Sequence, residues 1–425
     1  MEFLKKVKQQ CVILMELKNH NLIKSIEDEW GTPFYLMFPD RYRNNLSSFL
    51  DAFKKRYPKI IAGYSFKTNY VPGLCEIAKL MGVYAEVVSD MELDLAIKLG
   101  FENIIFNGPI KKKNSLIRAI NHNAIINLDS EYEVDTVCQL KLAHPDMQMR
   151  IGLRLNVHLI DDDGNSSIQC GLKHGRFGFP KLLLSRNIER LRSAGISICS
   201  IHGHTSSCDR AVINYKVITD YMISVCEDYG LNDVEYFNIG GGFFGAAPEG
   251  MDLTGRYTYN DYANVVLDSA LSSPWFTQCQ PSIVIEPGSS VVSNVFEYYT
   301  KVFQLKQIGS KTFVIVDGSV FDVKPTMHQG NLPHSIIGGN NLASEIECDV
   351  VGSTCMEKDI ILHDVKLPYA SAGEILQIKG VGAYTISLSP SFINYLAPIL
   401  SIENGSIRLI RRRQVLDDLL NIYNL

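Results

Sequence analysis

The amino-acid sequence predicts an α/β fold: a (β/α)₈ barrel of the TIM type with a second, mostly β domain of the barrel or sandwich kind. Between residues 60 and 290, short apolar runs alternate with helix-like segments, which is the pattern of a parallel barrel. Polar residues occur where these runs end. After about residue 290 apolar and polar residues alternate as they do in antiparallel strands. We therefore predict a barrel over residues 40–290 and a β domain formed by residues 1–39 and 291–425.

The predicted barrel strands are nearly continuous in apolar and β-branched residues, as expected of parallel strands buried on both faces. They are Ile60–Lys67, Ala85–Ser89, Ile104–Gly108, Ala124–Asp129, Met149–Val157, Ile198–Thr205, Tyr236–Gly242 and Ser282–Gly288. Between them apolar residues recur at helical spacing. Met91–Leu99 is one such segment, and Gly100 is its predicted end.

The β domain is predicted from segments in which apolar and polar residues alternate. Tyr299–Lys306 and Lys311–Val316 show the period of antiparallel strands. Ile407–Arg413 predicts a strand followed by a terminal helix, Leu416–Ile422, whereas Gly330–Asn341 predicts a loop. Thr32–Phe38 is expected to join this domain, because eight strands already close the barrel.

Composition narrows the possible functions. The chain has 425 residues, 46% apolar and 20% charged, which is enough for two cores. A net charge of −5 gives no electrostatic reason to expect nucleic acid as a partner, and no apolar stretch approaches the length of a membrane span. The 10 cysteines include no C-x-x-C pair, so we expect free thiols, a cytoplasmic protein and no metal site.

Lys67 stands at the end of the first predicted strand. A long cationic side chain that closes a buried strand is costly to desolvate unless it is paired or used covalently. Burial also lowers the pKa of a lysine and frees its amine, so Lys67 is a candidate for Schiff-base formation. The plain alternative is a lysine that extends its charge into solvent.

Other polar residues share this position at or near the ends of the predicted strands. They are Glu86, Ser89, Asn107, Asp129, Asn156, His204, Gly240–Gly242 and Glu286. Active sites of such barrels lie at the carboxyl ends of the strands. Each residue has a structural alternative, such as a helix cap for Asp129 or a turn for the glycines, but their accumulation at one rim favours a site.

The run Tyr64–Asn69 resembles the lysine motif of the alanine-racemase-like, fold type III enzymes that use pyridoxal 5′-phosphate. Over almost its whole length the chain is similar to the diaminopimelate and ornithine decarboxylases. Further matching segments follow in the same order: Glu86–Ser89, His202–Ser207, Asn238–Phe243, Glu286–Gly288, Gly352–Cys355 and Gly382–Thr385. Each segment is a weak signal, whereas their joint order is specific.

The resemblance implies that residues 40–290 bind pyridoxal 5′-phosphate, which Lys67 holds as an internal aldimine. Glu286 would face the pyridine nitrogen and support a quinonoid intermediate, whereas the alanine racemases place an arginine there; Glu286 therefore favours decarboxylation. His204 would stack on the ring, while the glycines, Ser207 and Tyr384 would bind the phosphate. The implied cofactor-binding residues are Lys67, Glu86, His204, Ser207, Gly241, Gly242, Glu286, Gly288, Ser289 and Tyr384.

Cys355 lies far from the predicted barrel in sequence. In the resembled decarboxylases, this cysteine reaches the active site of the partner subunit and delivers a proton to Cα after CO₂ leaves, which is general-acid catalysis by a thiol. The resemblance therefore implies a homodimer with composite active sites, with Lys67, Cys355, His204 and Glu286 as the catalytic residues.

The chain departs from the family at three substrate-side positions. Ser289 replaces an arginine after Glu-Pro-Gly, Lys324 replaces an arginine before a proline, and Met356 replaces an acidic residue, with Glu357 one step further. A missing carboxylate argues against a substrate with a distal ammonium group, such as diaminopimelate, ornithine or lysine. The candidate substrate-binding residues are Lys324, Met356, Glu357 and Tyr384, and His328 and His334 are further groups that suit an anionic or larger substrate.

The sequence thus predicts a decarboxylase that acts on an amino acid or an amino-acid conjugate, free or carrier-bound, in a specialised biosynthetic pathway, and not on diaminopimelate itself. Two alternatives remain open. One is a racemase or epimerase of the same superfamily, with Tyr384 or Cys355 as a second base. The other is a non-catalytic regulatory homologue.

Overall fold

The structure is a computed structural model that describes residues 20–159, 165–207, 209–338 and 344–423. The chain divides into two compact units. We call Tyr42–Ala246 with Leu253–Val292 the barrel unit, and Met1–Arg41 with Ala247–Asp252 and Ser293–Leu425 the β-rich unit. The division differs from the predicted one at 247–252, which were expected within the barrel and group with the β-rich unit, and by two residues at each of the boundaries near 40 and 290.

Strand β1 (Phe34–Met37) belongs to the β-rich unit, and the next eight strands form a closed parallel barrel. Their bounds are β2 Ile60–Ser65, β3 Tyr84–Val87, β4 Ile104–Phe106, β5 Ile125–Leu128, β6 Arg150–Arg154, β7 Ile198–His202, β8 Tyr236–Asn238 and β9 Ser282–Ile285. β9 pairs back to β2, with Ile283 opposite Ile60. All eight predicted strands are confirmed, but each ends earlier than predicted, because the polar residues at the rim leave the strand ladder.

Helices connect the barrel strands. Those between Pro39 and Val292 are Pro39–Lys54, Pro72–Leu80, Asp90–Lys98, Lys113–Asn121, Glu131–Ala143, Lys181–Ser193, Val212–Asp228, Tyr259–Ser272, Pro274–Cys279 and Ser289–Val292, with 3₁₀ turns at Phe66–Thr68 and Gln169–Gly171. The helix predicted around Met91 is confirmed. Ser89 caps it by accepting the Glu92 N–H at 3.2 Å, and Gly100 follows its end with a φ of +73°.

The barrel interior has an apolar layer with a polar layer above it. Ile105, Ile125 and Val284 pack together in the apolar layer, and Tyr84 and Tyr236 pack against them. Side chains two residues apart on a strand point to the same face. Two positions further along each strand lie polar residues, and these form the layer nearest the carboxyl ends: Glu86, Asn107, Asn127, Asn238 and Glu286.

The β-rich unit contains a nine-stranded mixed sheet. Its strands after β1 are β10 Phe296–Ile308, β11 Lys311–Val316, β12 His334–Ile337, β13 Glu345–Val351, β14 Ile360–Pro368, β15 Ile375–Lys379, β16 Ile399–Glu403 and β17 Ser406–Arg411. The order is β14-β13-β11-β10-β1-β16-β17, with β15 pairing β10 and β12. β1 lies between β10 and β16, which confirms that Thr32–Phe38 joins this sheet.

Helices of the β-rich unit cover residues 20–30, Val320–Val323 and Leu416–Leu420. The predicted loop Gly330–Asn341 is wrong in part, because His334–Ile337 form β12 and pair with β15. This strand is too short to show a period in the sequence, and its backbone pairing depends on a distant partner. Residues 339–341 of that prediction lie outside the described residues. No helix in the described ranges combines the length and apolar character that crossing a membrane requires.

Candidate active site

Glu286 is the centre of the polar layer in the barrel unit. It follows β9 and is only 4% exposed. The side-chain amides of Asn107 and Asn238 each donate to Glu286 Oε1 at 2.6 Å, and Asn127 orients Asn107 by donating to its Oδ1 at 2.7 Å. The opposite oxygen, Oε2, lies 3.6 Å from Nε2 of His202. Two fixed amide donors therefore hold this buried carboxylate in one orientation.

Lys67 lies in the 3₁₀ turn Phe66–Thr68, directly after β2. Its amine donates to Ser65 Oγ at 2.6 Å and to Glu86 Oε2 at 2.8 Å. The Glu86 side chain is 1% exposed, whereas that of Lys67 is 36% exposed. Lys67 is thus paired with a buried carboxylate and half-buried, which differs from a lysine extended freely into solvent and agrees with the expectation that a lysine at this position is paired or used covalently.

Gly288 allows the end of β9 to approach the Lys67 turn. A Cβ at this position would lie 2.3 Å from Thr68 Oγ1, so a side chain would push the two segments apart. The Ser65 N–H also donates to the Pro287 carbonyl at 3.1 Å. This close approach places Glu286 and Lys67 on neighbouring strand ends. Ser289 then begins the short helix Ser289–Val292.

The rings of His202 and His204 are parallel, with an interplanar angle of 2° and centroids 6.3 Å apart. Desolvation, reinforced by the charges of Arg154 and Lys67, lowers the pKa of His204 to about 3. Burial and then Arg154 hold the pKa of His202 well below its usual value. Both imidazoles are therefore neutral near pH 7, and His204 Nδ1 accepts the Gly241 N–H at 3.2 Å.

The three glycines after Asn238 form a side-chain-free segment between His204 and Glu286. A Cβ on Gly240 would lie 2.5 Å from His204 Cβ, and one on Gly241 would lie 2.4 Å from the Glu286 carbonyl oxygen. Gly242 has a φ of +92°, which disfavours other residues. Tyr215 fixes the segment, because its hydroxyl donates to the Gly241 carbonyl at 3.0 Å.

Several residues of this network were not predicted as site residues. Asn127, Asn238, His202 and Arg154 belong to it. Each is a polar residue inside an otherwise apolar strand, which is a signal that the sequence offered. Arg154 donates from Nη2 to the His204 carbonyl at 3.3 Å and lies 3.4 Å from Asp129.

Two rim residues named from the sequence serve the loops instead of this cluster. Asn156 donates to the carbonyls of Gly175 and Phe177, at 2.8 and 2.7 Å, and so holds the segment after β6. Ser89 caps the helix Asp90–Lys98. Ser207 lies on the segment after β7, where its hydroxyl accepts the Arg210 N–H at 3.0 Å.

Cys355 lies in the β-rich unit on an exposed turn between β13 and β14. Asp359, which is 3% exposed, holds this turn. Its carboxylate accepts the N–H and the hydroxyl of Thr354, at 3.0 and 2.6 Å, and the N–H of Val320 at 2.7 Å. The turn carrying the thiol is thus tied to the helix Val320–Val323, while Glu357 next to it is exposed.

Lys324, in the same unit, is a buried cation that has few hydrogen-bond acceptors and no nearby carboxylate among the described residues. It is 1% exposed, and its amine donates to the Gly330 carbonyl at 3.4 Å. No carboxylate of the described residues lies within ion-pair distance of it. Burial lowers the pKa of Lys324, and burial together with Lys324 lowers the pKa of His328. His334 contacts the Leu332 carbonyl at 2.8 Å, and Tyr384 is 41% exposed with a φ of +54°.

The sequence matches the family described as pyridoxal-dependent decarboxylase, pyridoxal binding domain, over residues 43–293. The chain belongs to this family. It is 30% identical to the diaminopimelate decarboxylase of Helicobacter pylori (strain J99), with 92% of this chain and 95% of that protein covered. It is 27% identical to the L-glutamyl-(BtrI acyl-carrier protein) decarboxylase of Niallia circulans, covering 93% of this chain and 95% of that protein.

Solved structures agree with this membership. The crystal structure of diaminopimelate decarboxylase from Helicobacter pylori complexed with L-lysine matches this protein with a TM-score of 0.82 and 26% identity. The match covers 94% of this chain and 98% of that chain. The predicted family, the barrel fold and the enzyme class, a pyridoxal phosphate-dependent decarboxylase, are therefore confirmed.

The residues present in the barrel unit fit pyridoxal 5′-phosphate, the cofactor of this family. The cluster offers a reachable amine on Lys67, a buried carboxylate on Glu286 and a neutral imidazole on His204. The segment Gly240–Gly242 brings the backbone to this cluster without side chains of its own, and its Gly240 and Gly241 N–H groups donate to Asn238 Oδ1 at 2.9 Å and to His204 Nδ1 at 3.2 Å. Among the residues that the structure describes, no group of three His, Cys, Asp or Glu side chains is arranged to hold a metal ion.

Proposed function

We propose that the protein decarboxylates an amino acid that is presented as a conjugate, rather than free diaminopimelate. When bound, pyridoxal phosphate supplies an electron sink for the charge released as CO₂ leaves. The specific part of the proposal is the kind of substrate. The charge balance of the substrate-side residues in the β-rich unit supports it.

In the barrel unit, we assign Lys67 to hold the cofactor through its amine, which lies beside Ser65 and Glu86. Glu86 is an acceptor for the lysine's proton at 2.8 Å, so it can keep the released amine in place. We assign Glu286 to keep a proton on the ring nitrogen, because its carboxylate is fixed by two amide donors. His204, being neutral, suits stacking against a protonated aromatic ring better than a charged imidazolium does.

The phosphate of the cofactor needs donors without steric bulk. We assign Ser207, Gly241 and Gly242 to this role, because Ser207 offers a hydroxyl and the two glycines bring side-chain-free backbone on the adjacent segment. The family resemblance adds Gly288, Ser289 and Tyr384. The close approach of Gly288 to Thr68 suggests that this glycine acts by positioning the Lys67 turn.

Cys355 is the residue that we assign to return a proton to Cα. The thiol is exposed on a turn that Asp359 ties down, which is the arrangement expected of a positioned general acid. The family resemblance assigns this cysteine to the active site of a partner subunit, so the proposal includes a homodimer with two equivalent composite sites.

The substrate proposal depends on charge. Lys324 is a buried cation with a single carbonyl acceptor, and Met356 takes the place of an acidic residue that would meet an ammonium group. Both changes favour a substrate whose distal part is anionic or neutral over one that carries a distal ammonium. The relative from Niallia circulans is named for a glutamyl group on an acyl-carrier protein, which has no free distal ammonium and is conjugated.

The decisive experiment compares CO₂ release from meso-diaminopimelate, L-ornithine, L-lysine, L-glutamate and a glutamyl thioester of phosphopantetheine. We expect the thioester to give a kcat/KM at least about tenfold above that of each free amino acid, because recognition would use the conjugated part. Efficient turnover of meso-diaminopimelate would refute the proposed substrate class. Inversion at Cα without CO₂ release would instead identify a racemase.

A further inference from the structure

Two arginines in the barrel unit share one aromatic ring. The guanidinium carbon of Arg210 lies 5.2 Å from the centroid of Phe244, and that of Arg256 lies 5.3 Å from the same centroid. Neither has a carboxylate within ion-pair distance among the described residues. Each guanidinium therefore carries a charge that no nearby carboxylate balances, so an anion beside it is favoured.

The acidic residue next to Arg210 does not supply that anion. Asp209 directs its Oδ1 to the Ala211 N–H at 3.0 Å and to the Asn214 side-chain amide at 2.9 Å, where it organises the start of the helix Val212–Asp228. Its charge is therefore engaged by other donors. The Arg210 guanidinium reaches only a backbone oxygen, with Nη1 donating to the Phe243 carbonyl at 3.4 Å.

Arg210 is held between the two segments that we assign to the cofactor phosphate. Its N–H donates to Ser207 Oγ at 3.0 Å, and its guanidinium contacts Phe243, which directly follows Gly242. The hydroxyl of Tyr262 donates to the Arg210 carbonyl at 2.8 Å and accepts the Phe244 N–H at 3.1 Å. Arg210 also has a φ of +51°, a backbone conformation that a branched or long side chain adopts only when the surroundings impose it.

We infer that Arg210 supplies the guanidinium for the phosphate of the cofactor, in a chain where Ser289 has removed the arginine expected after Glu-Pro-Gly. This inference rests on the proposed function, which assigns Ser207, Gly241 and Gly242 to that phosphate. A guanidinium gives paired, charge-assisted hydrogen bonds to phosphate oxygens, whereas the Ser289 hydroxyl gives one neutral bond. Arg256 is exposed and makes no contact with the assigned segments, so it is not part of the inference.

The test is cofactor affinity, measured by absorbance or fluorescence titration of the full-length apoprotein with pyridoxal 5′-phosphate and, separately, with pyridoxal. We expect Arg210→Gln to weaken binding of the phosphorylated cofactor about tenfold or more and to leave pyridoxal binding unchanged. Arg256→Gln, which removes the other arginine from the same ring, is the matched control and should change neither affinity.

The remaining outcomes also decide the matter. Equal weakening of both ligands would overturn the inference, because Arg210 would then only stabilise the loop. Unchanged affinity for pyridoxal 5′-phosphate together with a raised KM for a phosphopantetheine conjugate would also overturn it, since the phosphate would belong to the substrate. If Arg210→Gln does not fold, Arg210→Lys should weaken only phosphorylated-cofactor binding, by a smaller factor, and an unchanged affinity there would count against the inference.

Failure of the proposed function has a different signature. If borohydride reduction of the wild-type holoenzyme does not fix the cofactor at Lys67, the assigned cofactor site itself is wrong. If the cofactor is fixed at Lys67 and Arg210→Gln binds it normally, only the role of Arg210 is wrong.

Discussion

The polar layer of the barrel unit and the Cys355 turn of the β-rich unit hold their candidate site residues in opposite ways. Glu86 and Glu286 are almost fully buried, and each accepts hydrogen bonds from at least two neighbouring side chains. Cys355 and Tyr384 are exposed, and the order of the Cys355 turn comes from Asp359 beneath it. Substitution of a residue in the buried layer breaks several hydrogen bonds at once, whereas an exposed residue can be substituted without affecting its neighbours.

Membership of the polar layer, rather than burial alone, separates the positions that match the family from those that depart from it, because the departing Lys324 is itself 1% exposed. Lys67 donates to Glu86 and Asn238 donates to Glu286, so both matching motifs engage the polar layer, and His204 accepts the Gly241 N–H. The changed positions include Met356 and Lys324, which have few side-chain partners in the β-rich unit. A network in which each member satisfies another resists substitution, and the three departures, Ser289, Lys324 and Met356, all lie outside this layer.

The largest expected effect is the loss of Lys67. Lys67→Ala should abolish turnover and remove the visible absorbance band of the lysine-bound cofactor, because no other amine lies beside Glu86 in the described cluster. Absorbance spectra and CO₂ release measure the two effects. Lys98→Ala, at an exposed position on the helix Asp90–Lys98, is the control and should retain both. A Lys67→Ala enzyme with normal turnover would remove Lys67 from the mechanism.

Glu286→Gln should cause the second largest loss of activity. The amide keeps the shape of the buried side chain but removes the charge that would hold a proton on the cofactor ring, so we expect kcat to fall about 10²–10³-fold. Thermal unfolding should show a folded barrel, since the side chain is replaced by one of equal size. A normal kcat in this variant would contradict the assignment of Glu286. An unfolded variant would show instead that the Glu286 charge is needed for the stability of the barrel.

Cys355→Ala tests the exposed region. Loss of the thiol should lower kcat about 10²-fold while cofactor binding stays unchanged, because the cysteine is assigned only to proton return. Mixing this variant with Lys67→Ala should restore activity to about a quarter of the wild-type level, since half of the random dimers would carry one intact composite site. No restoration on mixing would contradict the proposed composite site.

Asp359→Asn tests whether the buried carboxylate beneath the turn positions the Cys355 thiol, and its expected effect is smaller. The amide would present a donor where the carboxylate now accepts from Thr354 and Val320, so the turn should loosen while the thiol remains. We expect a smaller loss of kcat than for Cys355→Ala, together with a larger share of turnovers that end in misprotonated product. A product ratio equal to wild type would show that Asp359 does not position Cys355.

The two regions also differ in how far sequence reasoning could reach. The alternation along β9 places Glu286 two residues after Val284, so its position in the polar layer follows from strand geometry. The same rule would have found Asn238 and Asn127. By contrast, the clamp on Cys355 joins Asp359 to Val320, 39 residues away in sequence, and no local pattern encodes that contact. The strand His334–Ile337 likewise depends on its partner in β15.

The smallest expected effect concerns pH and comes from Glu92, a buried carboxyl near the barrel mouth. It is 4% exposed and accepts the Val88 N–H at 2.8 Å, and burial raises its pKa from the ordinary value of 4.5 to about 7. Between these values the folded protein keeps a proton that the unfolded chain has released. Stability should therefore fall as pH rises from 4.5 to 7.

Glu92→Gln should remove this part of the pH dependence, which is worth about 1–3 kcal/mol across that interval. Chemical denaturation at several pH values measures it as a difference from wild type. Glu102→Gln, at an exposed position in the same unit, is the matched control and should leave the wild-type slope in place. Asp322, whose pKa burial raises to about 6, remains in both variants, so some fall with rising pH should persist. An unchanged slope in Glu92→Gln would show that the Glu92 carboxyl is already ionised in the folded protein near pH 7 and does not cause this pH dependence.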